Sequence, residues 1–136
     1  MAATPSKTRR NSTGDIAVND WLIAESAEIY YADCVINETT SVLVRRLREQ
    51  KRQGEVVKLL DEIERLFPAS ALTWTYPGIV DEWAAVLGII RESGGKLNFH
   101  DALLARTAIS LSVDRIVSFD ASLDAISFWD RISEPA

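Results

Sequence analysis

Apolar residues recur at intervals of three and four over most of the chain, which is the spacing of amphipathic helices. The pattern predicts helices over 36–53, closed by Gly54, and over 56–67, stopped by Pro68. Two more are predicted further on, one from Pro77 to the Gly94-Gly95 pair and one that begins after Asn98. A shorter helix is expected from about residue 15 to residue 23.

Short runs of β-branched and aromatic residues separate these helices and predict strands. They are Ile29–Tyr31, Leu72–Thr75, Arg115–Phe119 and Phe128–Ile132. Strands that alternate with helices, without an Asn-Gly hairpin signal, favour a parallel sheet covered by helices. The predicted class is therefore α/β.

The N-terminal residues 1–14 are polar and lack periodicity, which predicts a disordered lead-in before a single domain over 15–136. No apolar run approaches the roughly 20 residues of a membrane helix, and the lead-in lacks the apolar stretch of a secretory signal. We therefore expect a cytoplasmic protein without a membrane partner.

Composition narrows the chemistry that the chain can support. Cys34 is the only cysteine and His100 the only histidine, so a bound metal would have to be held by carboxylates. The net charge of −5 has the wrong sign for a protein that grips nucleic acid with its whole surface. Any contact with nucleic acid is expected to be local.

Three acids stand where a parallel sheet presents its ligand-binding edge. Glu38 follows the first predicted strand, Asp101 opens a helix, and Asp120 ends the strand Ile116–Phe119. Carboxylates clustered without histidine or cysteine suit a hard cation such as Mg²⁺ or Mn²⁺. Glu38, Asp101 and Asp120 are therefore the candidate catalytic and metal-binding residues.

Each feature also has a purely structural interpretation. Asp101 lies three residues after Asn98, where a carboxylate completes a capping box, and Asp120 can cap the turn over 121–125. His100, in a first helical turn, is expected to be solvated or locally hydrogen-bonded. The basic run over 45–52 fits either a solvated helix face or a contact with phosphates. The four tryptophans stand at core-type positions or strand ends and are expected to pack rather than to stack on bases, and Cys34 is expected to be a small core residue.

Three segments in series form a recognisable pattern. They read YADCVINET at 31–39, LNFHDALLA at 97–105 and IVSFDASLD at 116–124. Together they resemble the PIN-domain ribonucleases, and in particular the toxin subunits of VapBC-type toxin–antitoxin pairs. The similarity covers roughly residues 16 to 132.

The resemblance implies a three-layer α/β/α fold, Mg²⁺ or Mn²⁺ as cofactor, and hydrolysis of RNA phosphodiesters. It also implies an antitoxin protein as partner and a homodimer. Glu38 matches the family's glutamate, Asp101 and Asp120 match two of its aspartates, and Ser118 stands at its hydroxyl position.

One departure separates the chain from the family pattern. The family begins with a central strand that ends in an aspartate, and no residue here matches that acid. Asp15 is only 23 positions before Glu38 and lacks a preceding apolar strand. We therefore expect the first, central strand to be missing and activity to be lost or weak. The alternative is a non-catalytic PIN-like module that binds an antitoxin-like partner or a second copy of itself.

Overall fold

The computed structural model describes residues 12–135, with side chains described from residue 17 onward. The fold is mixed α/β and mostly helical. Its helices are α1 (Ser12–Ala24), α2 (Asp33–Glu49), α3 (Val56–Leu66), α4 (Ile79–Glu92) and α5 (Phe99–Leu111), and its strands are β1 (Arg115–Val117) and β2 (Asp130–Ile132). Short 3₁₀ turns connect several of them.

Local signals place most helix boundaries. Gly94 and Gly95 take φ of 62° and 81° and end α4 in the predicted left-handed cap. α3 covers nearly the predicted span and stops before Pro68. The prediction that α2 continues to residue 53 is wrong, because Lys51 adopts a left-handed φ of 57° that an α-helix cannot contain.

The strands are shorter than predicted. β1 and β2 pair in parallel, with Ile116 opposite Arg131, as expected for the third and fourth predicted strands. Ile29–Tyr31 and Leu72–Thr75 are wrong as strands, since the pairing here is a single parallel bridge between Ala32, just after the first run, and Thr73 in the second. Pairing stops there because α2 begins at Asp33. The described residues thus form a two-stranded parallel sheet and one separate bridge.

The core surrounds α5, which buries residues on several sides rather than on one stripe. Cys34, Leu104, Ile116 and Trp129 are buried together, which confirms the predicted packing of Cys34. Small residues of α5, namely Ala102, Ala105 and Ala108, have no exposed surface, so the neighbouring segments can approach closely.

The tryptophans pack to different degrees. Trp129 is buried and its indole N–H donates to the carbonyl of Leu123 at 2.9 Å. Trp74 and Trp83 are each 52% exposed, so neither is a core residue. Trp83 lies on α4, and its ring centre is 5.5 Å from that of Phe99.

The helix α3 is more exposed than its sequence pattern suggests. It has the apolar spacing of a core helix but contains no buried residue, and Leu60 and Leu66 are exposed.

The predicted lead-in over residues 1–14 can be compared with the structure only at its end. Residues 1–11 lie outside the described residues, and α1 begins at Ser12, which is inside the predicted lead-in. None of the helices in the described range has the length and apolar character needed to cross a bilayer.

Candidate functional site

Asp101 lies in the first turn of α5 and completes a reciprocal cap with Asn98. The Asn98 side chain accepts the Asp101 N–H at 2.9 Å, and the Asp101 carboxylate accepts the Asn98 N–H at 3.3 Å. The predicted capping box is therefore confirmed. The cap fixes the position of the Asp101 carboxylate and engages only one of its oxygens, Oδ2.

Asp120 follows β1 and caps the short turn Ala121–Ala125, as the structural interpretation predicted. Its Oδ1 accepts the backbone N–H of Ser122 at 3.0 Å and the Ser122 hydroxyl at 2.7 Å. Its own N–H donates to the buried Ser118 hydroxyl at 3.0 Å. Ser118 therefore supports the loop that carries Asp120.

Glu38 lies in the second turn of α2 and is exposed. Among the described residues it takes part in no hydrogen bond or ion pair. The carboxylates of Asp101 and Asp120, in contrast, each accept hydrogen bonds that cap a helix or turn. A charged side chain in this position is free to serve a ligand.

Electrostatics connect the three acids. Burial raises the pKa of the Asp101 carboxyl above its ordinary value, and the negative charges of Asp120 and Glu38 raise it further. The hydrogen bond from the Asn98 backbone opposes this rise, as does the nearby His100. Asp101 therefore lies in a negative field created by the other two candidate acids.

The three carboxylates do not form a ready-made set of metal ligands. No group of three or more His, Cys, Asp or Glu side chains in the described part of the chain is arranged to hold a metal ion. The chemistry of the donors fits a hard cation, since all three offer only oxygen. We predict that one or two bridged cations would bring the three carboxylates within about 8 Å of a common point.

A small polar network that the sequence did not reveal borders two of the acids. The Tyr76 hydroxyl accepts from Asn37 Nδ2 at 3.3 Å and lies 3.3 Å from His100 Nε2. Asn37 and His100 immediately precede Glu38 and Asp101 in the sequence, and this adjacency could have indicated that both residues lie near the candidate site. Tyr76 had no such signal. The prediction that His100 is solvated or locally hydrogen-bonded is confirmed.

Asp33 holds the segment that carries Tyr76 through hydrogen bonds to Thr75 and Tyr76. Its buried carboxylate accepts the backbone N–H of Cys34 at 2.8 Å, the N–H of Thr75 at 2.9 Å and the N–H of Tyr76 at 3.1 Å, and it also accepts the Thr75 hydroxyl. Three of these bonds fall on Oδ1 and one on Oδ2, so the fold uses most of the acceptor capacity of this carboxylate. Asp33 is a structural acid that ties the start of α2 to the segment carrying Tyr76.

Arg131 places a positive charge near Asp120. Its guanidinium donates to the Asp124 carboxylate at 2.9 and 3.2 Å and to the Ser118 carbonyl at 3.2 Å. Pairing with Asp124 raises the pKa of Arg131, and the charge of Asp120 adds to this effect. Arg131 thereby joins β2 to the loop that presents Asp120.

Comparisons with known proteins identify no relative: no family model matches the chain, and no curated protein or solved structure matches it significantly. The resemblance to PIN-domain ribonucleases therefore rests on the three sequence segments and on the positions of their acids.

Proposed function

We propose that this chain is a metal-dependent endoribonuclease scaffold of the toxin type, built on a PIN-like α/β/α plan and acting on RNA phosphodiesters. The observation that supports it best is the placement of Glu38, Asp101 and Asp120 on three separate elements, with the charges of Glu38 and Asp120 both raising the pKa of Asp101. Acids that lie far apart in the sequence and repel each other in the fold reduce stability, which favours a functional reason for their arrangement.

Each acid would contribute differently to holding Mg²⁺ or Mn²⁺. Glu38 and the second oxygen of Asp101 are free of local hydrogen bonds, whereas Asp120 is oriented by Ser122 and by its backbone bond to Ser118. Such a cation supplies charge neutralisation at the phosphate and an acidified water as nucleophile. Tyr76 and His100 offer hydrogen-bonding groups beside the acids for the substrate.

The family's additional acid has no equivalent among the described side chains. We assign Asp33 a structural role instead, because its buried carboxylate accepts four hydrogen bonds within the fold, three on Oδ1 and one on Oδ2. Losing one carboxylate ligand is expected to weaken metal affinity at least about 10–100-fold. We therefore propose weak RNA cleavage by the 136-residue chain.

The test is cleavage of a structured RNA with Mg²⁺ or Mn²⁺ and with EDTA. We expect weak, EDTA-sensitive cleavage that Asp101→Asn, Asp120→Asn and Glu38→Gln each abolish. Glu64→Gln, which removes an exposed acid of α3, is the control and should cleave like the parent. Cleavage that survives EDTA, or that all four variants retain, would refute the proposal.

A non-catalytic interaction module is the second candidate, and exposed apolar side chains on α3 favour it. Val57, Leu60 and Leu66 are 69%, 42% and 53% exposed and are spread over about half of the helix circumference. Exposed apolar side chains would suit a second copy of the chain or an antitoxin-like partner. Light scattering tests self-association: Leu60→Glu should convert a dimer to a monomer, and a parent chain that is already monomeric would remove this support.

A further inference from the structure

An open groove of about 670 Å³ runs beside α2, outside the acidic site. Its lining includes the side chains of Ser41, Arg45 and Arg48 on α2, and Gln53 from the turn that follows. Guanidinium, hydroxyl and amide groups thus share one open surface with the carboxylate of Glu49. The first three are the groups that bind phosphate oxygens in proteins.

The groove lies on the same side of α2 as Glu38. An α-helix turns about 100° per residue, so positions three, seven and ten residues after Glu38 fall within an arc of roughly 80°. Those positions are Ser41, Arg45 and Arg48. With a rise of about 1.5 Å per residue, the two arginines lie about 10 and 15 Å along the helix axis from Glu38. One helix face therefore connects the candidate acid to the groove.

The two groove arginines are available to a ligand, unlike four other arginines among the described residues. Arg45 approaches Glu49 only at 3.8 Å, with both side chains more than half exposed. Arg48 has no ion pair among the described residues. Arg52, Arg65, Arg106 and Arg131, in contrast, each contact a carboxylate closely. A loose, exposed ion pair contributes little, so a phosphate can displace Glu49 readily.

We propose that this groove binds the backbone phosphates of an RNA strand whose scissile phosphate lies at the acids. The inference rests on the proposed function, and it names the substrate contact that the acids cannot provide. Arg45 and Arg48 would donate to phosphate oxygens in pairs, and Ser41 would donate a single hydrogen bond. Contacts of this kind place the strand without reading its sequence. They also reconcile RNA binding with a net charge of −5, because the positive charge is local.

The experiment measures binding separately from cleavage. Fluorescence anisotropy of a labelled single-stranded RNA of roughly 20 nucleotides is recorded in EDTA with the full chain, at several salt concentrations. We compare the parent, the double variant Arg45→Gln/Arg48→Gln, and Arg46→Gln. Arg46 is the matched control, because it is exposed on the same helix, lies roughly 100–160° around from the groove arginines, and makes no described ion pair. Circular dichroism verifies that all three proteins are folded.

We expect the double variant to bind at least about 10-fold more weakly, with a salt slope shallower by about 1.4, since each phosphate contact to a single strand contributes about 0.7. Arg46→Gln should stay within about twofold of the parent. Equal losses of RNA affinity in the double variant and in Arg46→Gln, or no loss in either, would overturn the proposal that the groove binds RNA. Binding of a polyglutamate peptide, without binding of RNA, would overturn it as well.

The same variants separate this inference from the proposed function. RNA binding that depends on Arg45 and Arg48, with no cleavage under any metal, would support the groove and refute hydrolysis. EDTA-sensitive cleavage that is unchanged in the double variant would support hydrolysis and refute the groove.

Discussion

Asp33 and Asp101 both lie in the first turn of a helix, yet their surroundings are opposite. Asp33 is only 4% exposed, and its carboxylate receives four hydrogen bonds from three neighbouring residues. Asp101 receives one hydrogen bond on its carboxylate and lies near two further negative charges. The fold uses most of the acceptor capacity of the Asp33 carboxylate and little of the capacity of the Asp101 carboxylate.

The difference teaches how the two acids can be told apart. A buried carboxylate that is saturated by donors stabilises the native state, and its removal leaves those donors unpaired. A carboxylate near like charges destabilises the native state until a proton or cation neutralises it. The two aspartates are thus expected to respond in opposite directions to the loss of charge.

The largest effect is expected at Asp33. Asp33→Ala leaves the buried donors of Thr75 and Tyr76 unsatisfied and should lower the free energy of unfolding by about 3–5 kcal/mol. Urea unfolding followed by circular dichroism measures this loss. If that variant does not fold, Thr75→Val removes one donor and should lower the free energy by about 1.5–3 kcal/mol. The exposed control Asp61→Asn should change it by less than about 0.5 kcal/mol.

A smaller loss is expected at the cap of α5. Asn98→Ala removes the side chain that accepts the Asp101 N–H, and it should lower the free energy of unfolding by about 1 kcal/mol. Asn37→Ala, which removes an exposed amide bonded only to Tyr76, serves as its control. Equal stability of Asn98→Ala and the parent would show that the cap does not hold α5.

Asp101→Asn should have the opposite sign, measured without divalent cations. Because the folded state raises the pKa of Asp101, the stabilising contribution of this carboxyl is complete below its ordinary value of 3.8 and is lost as pH rises through the raised value. The variant should therefore gain stability relative to the parent between pH 3 and pH 7. We expect a gain below about 1 kcal/mol, since the group is partly exposed.

Asp124 supplies the control for that pH profile. Arg131 lowers the pKa of Asp124, so the stability from this pair is present above the ordinary value of 3.8 and is lost as pH falls through the lowered value. Asp124→Asn should therefore lose stability relative to the parent as pH rises. Thermal melts of both variants across the range decide the comparison, and parallel profiles would contradict it.

The smallest effect is expected at Tyr76. Tyr76→Phe removes the hydroxyl between Asn37 and His100 but keeps the ring contact with His100, whose centre lies 5.9 Å away. The free energy of unfolding should change by about 0.5 kcal/mol, while the NMR shifts of the His100 ring should change clearly. Unchanged His100 shifts would show that the hydroxyl is not its partner.

The elements fixed by local chemistry were the ones that the sequence predicted well. Gly94-Gly95, Asn98 and Pro68 each end or begin a helix through their own backbone preferences. The bridge at Ala32 and Thr73 depends instead on two segments far apart in the chain, so strand propensity alone overestimated both partners. Lys51 in a left-handed conformation also has no sequence signal, which is why α2 was predicted too long.

In the candidate site, too, features set by the local sequence could be predicted and features set by distant contacts could not. Asp120 follows β1, as the rule that ligands collect after parallel strands predicts. Glu38 and Asp101 lie instead in the first two turns of α2 and α5, and no described strand directly precedes either helix. The role of Asp33 could not be predicted, since its partners Thr75 and Tyr76 lie 42 and 43 positions away. Contacts at that separation are set by tertiary packing.

That separation has a consequence for how the chain folds. The hydrogen bonds of Asp33 to Thr75 close a loop of 42 positions that contains both α2 and α3, whereas β1 and β2 lie about 15 positions apart. Closing the longer loop loses more chain entropy, so we expect the β1–β2 pairing to form early and the Asp33 connection to form last. In native-state hydrogen exchange, the amides of Thr75 and Tyr76 should then exchange together, through one opening that also releases the start of α2.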